Sequence, residues 1–322
     1  MRILGGLLLF LGVMLLTPLP CSLCCHRPDS WHDGAFMAFV IASLLTLIAG
    51  GASLRFVSAK GEMTYREGFA VVTFGWLAFA LCGSLPFLLA EVAGIEGLAD
   101  AVFEAMSGFS TTGSTTITQL ELQPKSILLW RAMTQWLGGM GIIVLSLAIL
   151  PFLRVGGMQL FEAEAPGPTK DRLSPRIQDT ARVLWGVYVL LTGAEVLLLW
   201  CGGMSLFESC CHAFTTMSTG GFSTRDASIA AFGTGTHLII LVFMFLAAVN
   251  ASLHFYALRG QVRRYWTSDE FRFFLSIVAV ATLVITLFIA CDPSIPGSVA
   301  IKLRDAAFQC VSLVSTTGFV TA

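Results

Sequence analysis

Charged side chains are scarce in this sequence. Asp, Glu, Lys and Arg make up 12% of its 322 residues, about half the share that is usual for a globular protein. Hydrophobic residues make up 56%, so there is too little charge to cover a soluble surface. The net charge of −1 shows no basic excess, which argues against a nucleic acid partner. The composition therefore predicts a polytopic, all-α membrane protein surrounded by lipid.

Sequence motifs for catalysis are also lacking, since there is no phosphate-binding loop and no nucleophile motif. The nine cysteines do not form the framework of a disulfide scaffold. Cys21, Cys24, Cys25, His26 and His32 are residue types that bind soft metals, but a second well-spaced pair of ligands is missing. We expect an ordinary loop there, and no covalently bound cofactor.

Seven apolar runs are long enough, or nearly so, to cross the ~30 Å hydrocarbon layer, which takes roughly 20 helical residues. They are Ile3–Leu19, Ala35–Leu54, Phe69–Ala90, Ser126–Leu153, Val183–Trp200, Leu238–Leu258 and Phe273–Ala290. No small-x-small cleavage site follows the first run, so we expect it to remain as a helix rather than to be removed as a signal peptide.

The loops between these runs differ in their content of Lys and Arg. With the N-terminus inside, the inner side holds thirteen of the 19 cations and the outer side five, while Arg131 lies within a span. The outer cations are Arg27, Lys125, Arg225, Lys302 and Arg304. Because cytoplasmic loops carry an excess of Lys and Arg, this bias predicts a cytoplasmic N-terminus.

Three segments of the chain share the pattern Ser-Thr-x-Gly, with glycines at 113, 221 and 318. Each follows a short apolar stretch that we predict to be helical: Leu98–Phe109, Leu206–Met217 and Lys302–Val314. Twelve residues of helix are about 18 Å long, too short to cross the bilayer, so each stretch must enter and leave by the same face. Self-similarity of this kind predicts a repeated unit of long helix, short helix, turn and long helix.

Irregular backbone at membrane depth survives only where protein shields it or where it lines a water-filled path. The glycines permit backbone angles that let successive carbonyls point the same way, and such carbonyls can replace the water around a cation. The short helices would aim the negative ends of their dipoles at it. The hydroxyls of the three serines would brace the turn or add ligands; the alternative is ordinary turn chemistry. The predicted filter residues are Ser110, Thr111, Thr112, Gly113, Ser218, Thr219, Gly220, Gly221, Ser315, Thr316, Thr317 and Gly318.

Other polar residues within the apolar segments are candidates for supporting roles. Glu104, His212 and Gln309 occupy matching places six residues before the repeat serines, and we expect them to tie the short helices to their neighbours rather than to contact an ion. Glu195, and with it Asn250 and His254, are intramembrane polar groups and so functional candidates, although Glu195 could equally pair with a neighbouring helix. Gly138, Gly139 and Gly141 are interpreted as small residues for close helix packing.

Several stretches resemble the TrkH/KtrB family of potassium-uptake membrane subunits, and the TrkH branch more closely. They are Phe103–Thr116, Trp130–Pro151 with its core Gln-Trp-Leu-Gly-Gly-Met-Gly, Gly156–Ile177, Phe214–Thr224 and Val314–Thr321. The resemblance implies four helix–pore-helix–filter–helix repeats around a pseudo-fourfold pore. It implies potassium at the backbone of Thr111, Thr112, Gly113, Thr219, Gly220, Gly221, Thr316, Thr317 and Gly318.

The resemblance also implies a division of the chain. Residues 1–60 would form two extra N-terminal helices, 61–158 the first repeat, 159–265 the second and 266–322 an incomplete third, with the fourth repeat absent. It implies a multi-pass protein of the bacterial inner membrane that works as a homodimer with a cytosolic, nucleotide-binding regulatory subunit similar to TrkA.

The functional hypothesis is therefore a pore-forming subunit for potassium uptake, gated by that regulatory subunit. Two alternatives stay open: a truncated, non-conducting remnant, and a membrane enzyme that uses Glu104, His212 or Glu195 as acid or base. An enzyme is not expected, because the repeated feature is uncharged backbone rather than converging catalytic side chains. Two properties stay open at this point: whether the selected ion is potassium or sodium, and whether the protein is a channel or a symporter.

Overall fold

The computed structural model describes residues 2–24, 34–56, 65–153, 173–292 and 297–321, and within these ranges all regular secondary structure is helical. The first half contains α1 (Arg2–Met14), α2 (Leu19–Cys24), α3 (Gly34–Phe56), α4 (Tyr65–Gly83), α5 (Leu85–Leu89), α6 (Leu98–Phe109) and α7 (Lys125–Leu153). The second half contains α8 (Leu173–Cys201), α9 (Leu206–Met217), α10 (Thr234–Ala248), α11 (Ala251–Leu258), α12 (Arg263–Thr267), α13 (Asp269–Cys291) and α14 (Val299–Val314).

Five helical segments of the described chain are long and apolar enough to cross a membrane. They are Ile3–Leu23, Gly34–Phe56, Gly68–Leu89, Ala181–Cys201 and Asp269–Cys291. Helix α7, with 29 residues, is about 43 Å long, so its length also suffices. These segments correspond to six of the seven predicted runs.

The predicted span Leu238–Leu258 is not one straight helix but two helices with a break between them, and whether the pair crosses the membrane stays a prediction. Helices α10 and α11 meet at an angle of 103°. Two side chains satisfy the backbone at this break: Asn250 Oδ1 accepts the amide of Ser252 at 3.0 Å, and His254 Nε2 donates to the carbonyl of Leu246 at 2.9 Å. His254 Nδ1 accepts the hydroxyl of Tyr265 at 2.6 Å. Asn250 and His254 therefore stabilise a bend, which explains two of the polar residues in this apolar run.

The three short helices lie where the sequence predicts them. Helices α6 and α9 have the expected bounds, whereas α14 begins at Val299 instead of Lys302 and has 16 residues. The earlier start has a local cause, since Ser298 caps the helix by accepting the amide of Ile301. Ser205 caps α9, since its Oγ accepts the amide of Glu208 and donates to the Glu208 carboxylate.

The chain divides into two compact units. The first contains residues 1–138 and 222–226, and the second contains 139–221 and 227–322. These units group the chain differently from the sequence repeats, whose boundaries stay a prediction. In the second unit a hydrophobic core joins α8, α9, α10, α13 and α14 through Leu199, Ala213, Ile240, Val278 and Phe308.

Helices α1 and α3 of the first unit pack closely through glycine. A Cβ on Gly50 would lie 2.9 Å from both the carbonyl oxygen of Gly5 and the amide nitrogen of Leu9. Ser43 adds a hydrogen bond of 2.8 Å from its hydroxyl to the carbonyl of Gly12. Small residues that let backbones approach are typical of helix contacts in membranes.

Neighbouring glycines of α3 provide a stability test. Gly50→Ala should lower the stability of the protein in detergent by about 1–3 kcal/mol, because the new methyl group meets backbone atoms that cannot rotate away. Gly51→Ala has open space around it and should be neutral or slightly stabilising through helix propensity. Thermal unfolding of the two purified variants checks this, and equal midpoints would contradict the packing.

Candidate functional site

The three Ser-Thr-x-Gly segments form the same type of helix C-cap. After α6, the amide of Thr111 donates to the carbonyl of Gly108 at 2.9 Å and the amide of Thr112 donates to that of Ser107 at 2.9 Å. The amides of Thr219 and Gly220 donate in the same way to the end of α9, at 2.9 Å each. Those of Thr316 and Thr317 donate to the end of α14, at 3.1 and 2.9 Å. This pair of bonds is the Schellman motif, which satisfies carbonyls that a helix end leaves without partners.

Threonine occupies the left-handed position of all three motifs, where glycine is the usual residue. The φ angles are +56° at Thr111, +53° at Thr219 and +63° at Thr316. Positive φ is strained for a β-branched residue and costs about 1–2 kcal/mol. Strain of this kind, repeated at three equivalent places, is typical of functional sites. The sequence analysis includes these threonines in the filter but expects the unusual backbone angles only at the glycines.

The repeat glycines have positive φ, as the sequence analysis expects: +81° at Gly113, +75° at Gly221 and +80° at Gly318. Each segment thus contains two residues with left-handed backbone, a threonine and the repeat glycine, which are separated by one residue. The amides of these turns are used to close the helix ends. Among the described residues, the carbonyl oxygens of Thr111, Thr112, Thr316 and Thr317 accept no hydrogen bond.

The serine hydroxyls brace the turns. Ser110 Oγ donates to the carbonyl of Met106 at 2.7 Å, and Ser218 Oγ donates to that of Phe214 at 2.8 Å. Ser315 Oγ donates to the carbonyl of Ser312 at 3.3 Å and lies 2.7 Å from the hydroxyl of Thr317. Of the two roles that the sequence left open for these hydroxyls, the geometry favours bracing over ion contact.

A second serine supports the first and third loops, and the sequence pattern had not singled it out. Ser107 Oγ donates to the carbonyl of Ser114 at 2.6 Å, and Ser312 Oγ donates to that of Phe319 at 2.7 Å. Each pair joins the last turn of the short helix to the residue that follows the repeat glycine. The sequence does contain a signal for this role, because a serine lies six residues before the repeat glycine in the first and third repeats. Thr215 replaces it in the second loop, where its hydroxyl donates back into α9.

Glu104, His212 and Gln309 all lie on the short helices and differ in what they contact. Glu104 is fully buried and bonds to the chain after the first loop and to α7. Gln309 Nε2 donates to the hydroxyl of Thr321 at 3.5 Å, the equivalent place after the third loop. His212 Nδ1 donates to the carbonyl of Glu208 within α9, and its ring packs on Phe319 with centroids 6.0 Å apart.

Two glycines of α7 permit close approach to the short helices, as expected. In the first unit, a Cβ on Gly138 would overlap the carbonyl oxygen of Phe109 at the end of α6. In the second unit, a Cβ on Gly139 would lie 2.9 Å from Ser218 Cβ at the end of α9. The second and third loops also touch within the second unit, since a Cβ on Gly221 would overlap the carbonyl oxygen of Thr317.

Glu195 lies fully buried in α8, and neither of its carboxyl oxygens makes a hydrogen bond to a described residue. The nearby hydroxyl of Thr216 donates instead to the carbonyl of His212 at 2.7 Å. Glu195 and His212 belong to the second unit, whereas Glu104 belongs to the first and is held by an arginine.

The cysteine and histidine group near the N-terminus falls mostly outside the described residues. Cys25, His26 and His32 lie there, and the side chain of Cys24 is not described, while Cys21 is half-buried. Within the described part of the chain, no cluster of three or more Cys, His, Asp or Glu side chains could hold a metal ion.

A family model described as "TrkH: Cation transport protein" matches residues 35–322. The "Trk system potassium uptake protein TrkH" of Salmonella typhimurium is 42% identical over 326 residues, as is that of Escherichia coli K12; the match covers 99% of this chain and 65% of each relative. The protein of the same name from Halomonas elongata is 40% identical and is 66% covered.

The fold also matches a solved structure. The crystal structure of the potassium transporter TrkH from Vibrio parahaemolyticus superimposes with a TM-score of 0.87 at 37% sequence identity. The match covers 100% of this chain and 65% of that one. The chain thus spans slightly less than two thirds of the length of these relatives.

The glycines of the second and third loops differ in their surroundings, which allows a comparison. Gly221→Ala and Gly318→Ala both place a methyl group at positive φ, at a cost of about 1–2 kcal/mol. Only the first also overlaps a backbone carbonyl, because Gly318 has open space around it. We therefore expect Gly221→Ala to lower the unfolding midpoint in detergent further than Gly318→Ala. Equal losses would show that the two loops do not touch in this way.

Proposed function

Because the chain belongs to the TrkH family of cation transport proteins, we propose that it contributes the pore and selectivity filter of a potassium uptake subunit. One observation carries the proposal. Three short helices end in the same turn, whose amides are used internally, and in the first and third turns the carbonyls of Thr111, Thr112, Thr316 and Thr317 accept no hydrogen bond from the described residues. Carbonyl oxygens are the groups that replace the hydration shell of an alkali cation in a filter.

In this proposal the selected ion loses water and gains backbone carbonyls of residues 111–113, 219–221 and 316–318. The C-terminal ends of α6, α9 and α14 add a favourable field, because a helix dipole is negative at its C-terminus. The side chains of these turns are uncharged, so the ion meets dipoles rather than a fixed counter-charge that would hold it too tightly to leave.

The assembly and location follow the same reasoning. We propose a homodimer in the bacterial inner membrane, with a cytosolic nucleotide-binding subunit similar to TrkA as its regulator. The relatives are named as proteins of a Trk system, which supports a further component. The excess of Lys and Arg in the inner loops supports a cytoplasmic N-terminus.

Cation flux into vesicles tests the proposed function. We would compare the chain itself with a chimera that continues it past Ala322 with the matching segment of the Escherichia coli relative. The chimera should take up potassium in preference to sodium. Gly113→Ser should lower that preference about 5- to 150-fold, because strain of roughly 1–3 kcal/mol at this position turns carbonyls away from the ion.

Gly97→Ser is the matched control for this measurement. Gly97 caps the start of α6 with extended backbone and open space around it, and serine is favoured at such a position. The control should keep the wild-type ion preference. A wild-type ratio in Gly113→Ser at normal abundance in the membrane would mean that this glycine is not part of a filter.

Single cysteines test the proposed orientation in a background without native cysteines. Ala227→Cys, in an exposed turn after the second loop, should react with an impermeant thiol reagent added to intact cells. Arg263→Cys, exposed at the start of α12, should react only after the cells are permeabilised. The reverse pattern would overturn the assignment of the inner side.

A further inference from the structure

Three buried polar side chains of the first unit form a connected group on α6 and α7. Glu104 and Gln135 are fully buried and Arg131 is 2% exposed. Arg131 and Gln135 are four residues apart, so they lie on the same face of α7. Burying charged groups costs free energy unless they are paired, so the hydrogen-bond partners of these side chains decide their role.

Arg131 and Gln135 hold the two residues that directly follow Gly221. Arg131 Nη1 donates to the carbonyl of Ser223 at 2.8 Å, and its guanidinium lies over the ring of Phe222, 3.6 Å from the centroid. Gln135 Oε1 accepts the amide of Phe222 at 3.1 Å. Both side chains therefore bond to backbone at the exit of the second loop.

Arg131 is also tied to the exit of the first loop through Glu104. Its Nε donates to Glu104 Oε1 at 2.6 Å. The same carboxylate accepts the hydroxyl of Thr115 and the amide of Thr116, at 3.0 Å each. One buried ion pair thus fixes the backbone after Gly113 and the backbone after Gly221.

The repeat does not reproduce this group. Shifting Arg131 and Gln135 by the 108 residues between the first two repeat glycines leads to Ile239 and Phe243, which are apolar. In the third repeat, the place of Glu104 is taken by the uncharged Gln309, which reaches Thr321 at 3.5 Å. The charged brace is therefore specific to its place in the chain rather than a general requirement of the short-helix unit.

We propose that Arg131 and Gln135 are positioning residues that set the ion preference of the second loop without touching the ion, which rests on the potassium function proposed above. A filter discriminates by the placement and number of its carbonyls, and such groups stay in place only when surrounding hydrogen bonds lock them. The charge of Arg131 is balanced by Glu104, so the brace fixes geometry and adds little net field.

Gln135→Leu tests this role because it removes the acceptor for the Phe222 amide while it keeps the ion pair and most of the side-chain volume. In the chimera, it should lower the ratio of potassium to sodium flux about 2- to 10-fold, the effect of one lost hydrogen bond.

Trp130→Phe is the control for a merely structural role. It removes a buried hydrogen bond from the same turn of α7, from Trp130 Nε1 to the carbonyl of Gly83 at 2.9 Å, and that bond does not involve residues 222–223. It should reduce thermal stability and leave the ion ratio unchanged. A wild-type ratio in Gln135→Leu, or an equal fall in Trp130→Phe, would overturn the proposal.

Hydrogen exchange separates this proposal from the function on which it rests. The Phe222 amide should exchange faster in Gln135→Leu than in wild type, and at the wild-type rate in Trp130→Phe. If the wild-type chimera shows no preference for potassium, the proposed function fails, while the exchange result still decides whether Gln135 holds this backbone. If Gln135→Leu does not fold, Arg131→Lys replaces it, since lysine cannot bond to Glu104 and Ser223 in the same geometry. Unchanged exchange of the Phe222 amide in Gln135→Leu, or a wild-type ion ratio in Arg131→Lys where it replaces that variant, would contradict the positioning role.

Discussion

A helix that stops inside a membrane leaves carbonyl groups without partners, and there is no water in the hydrocarbon layer to satisfy them. In this chain the amides of Thr111, Thr219 and Thr316 bend back to the helix ends at 2.9–3.1 Å. This reversal places Thr111, Thr219 and Thr316 at positive φ, and the glycine two residues later in each loop has positive φ as well. The remaining features of the loops depend on this reversal.

The reversal uses the amides, whereas the carbonyls of Thr111, Thr112, Thr316 and Thr317 accept no hydrogen bond from the part of the chain that the structure describes. Serine hydroxyls then fasten the turn from within, as Ser107 and Ser312 do across seven residues. Glycines at 138 and 139 let α7 come close to the short helices of each unit. Strain of about 1–2 kcal/mol at each threonine persists because these contacts together hold the backbone in its left-handed conformation.

The sequence predicted the short helices well, because a twelve-residue apolar stretch that ends in Ser-Thr-x-Gly has few alternatives in a membrane. It also predicted positive φ at the glycines. It did not predict the bend after Ala248, because apolar composition continues through the break and only Asn250 and His254 mark it. It did not predict which backbone groups Ser110, Arg131 or Gln135 would bond to, since those partners depend on packing and not on the repeat.

The central claim is that carbonyl oxygens of these loops, and not carboxylates, hold the transported cation. Anomalous diffraction from crystals of the chimera grown with rubidium, a heavier substitute for potassium, measures this directly. We predict a peak bordered by backbone carbonyls of residues 111–113, 219–221 and 316–318. A peak coordinated by Glu104 or Glu195, with no density at the three loops, would contradict it.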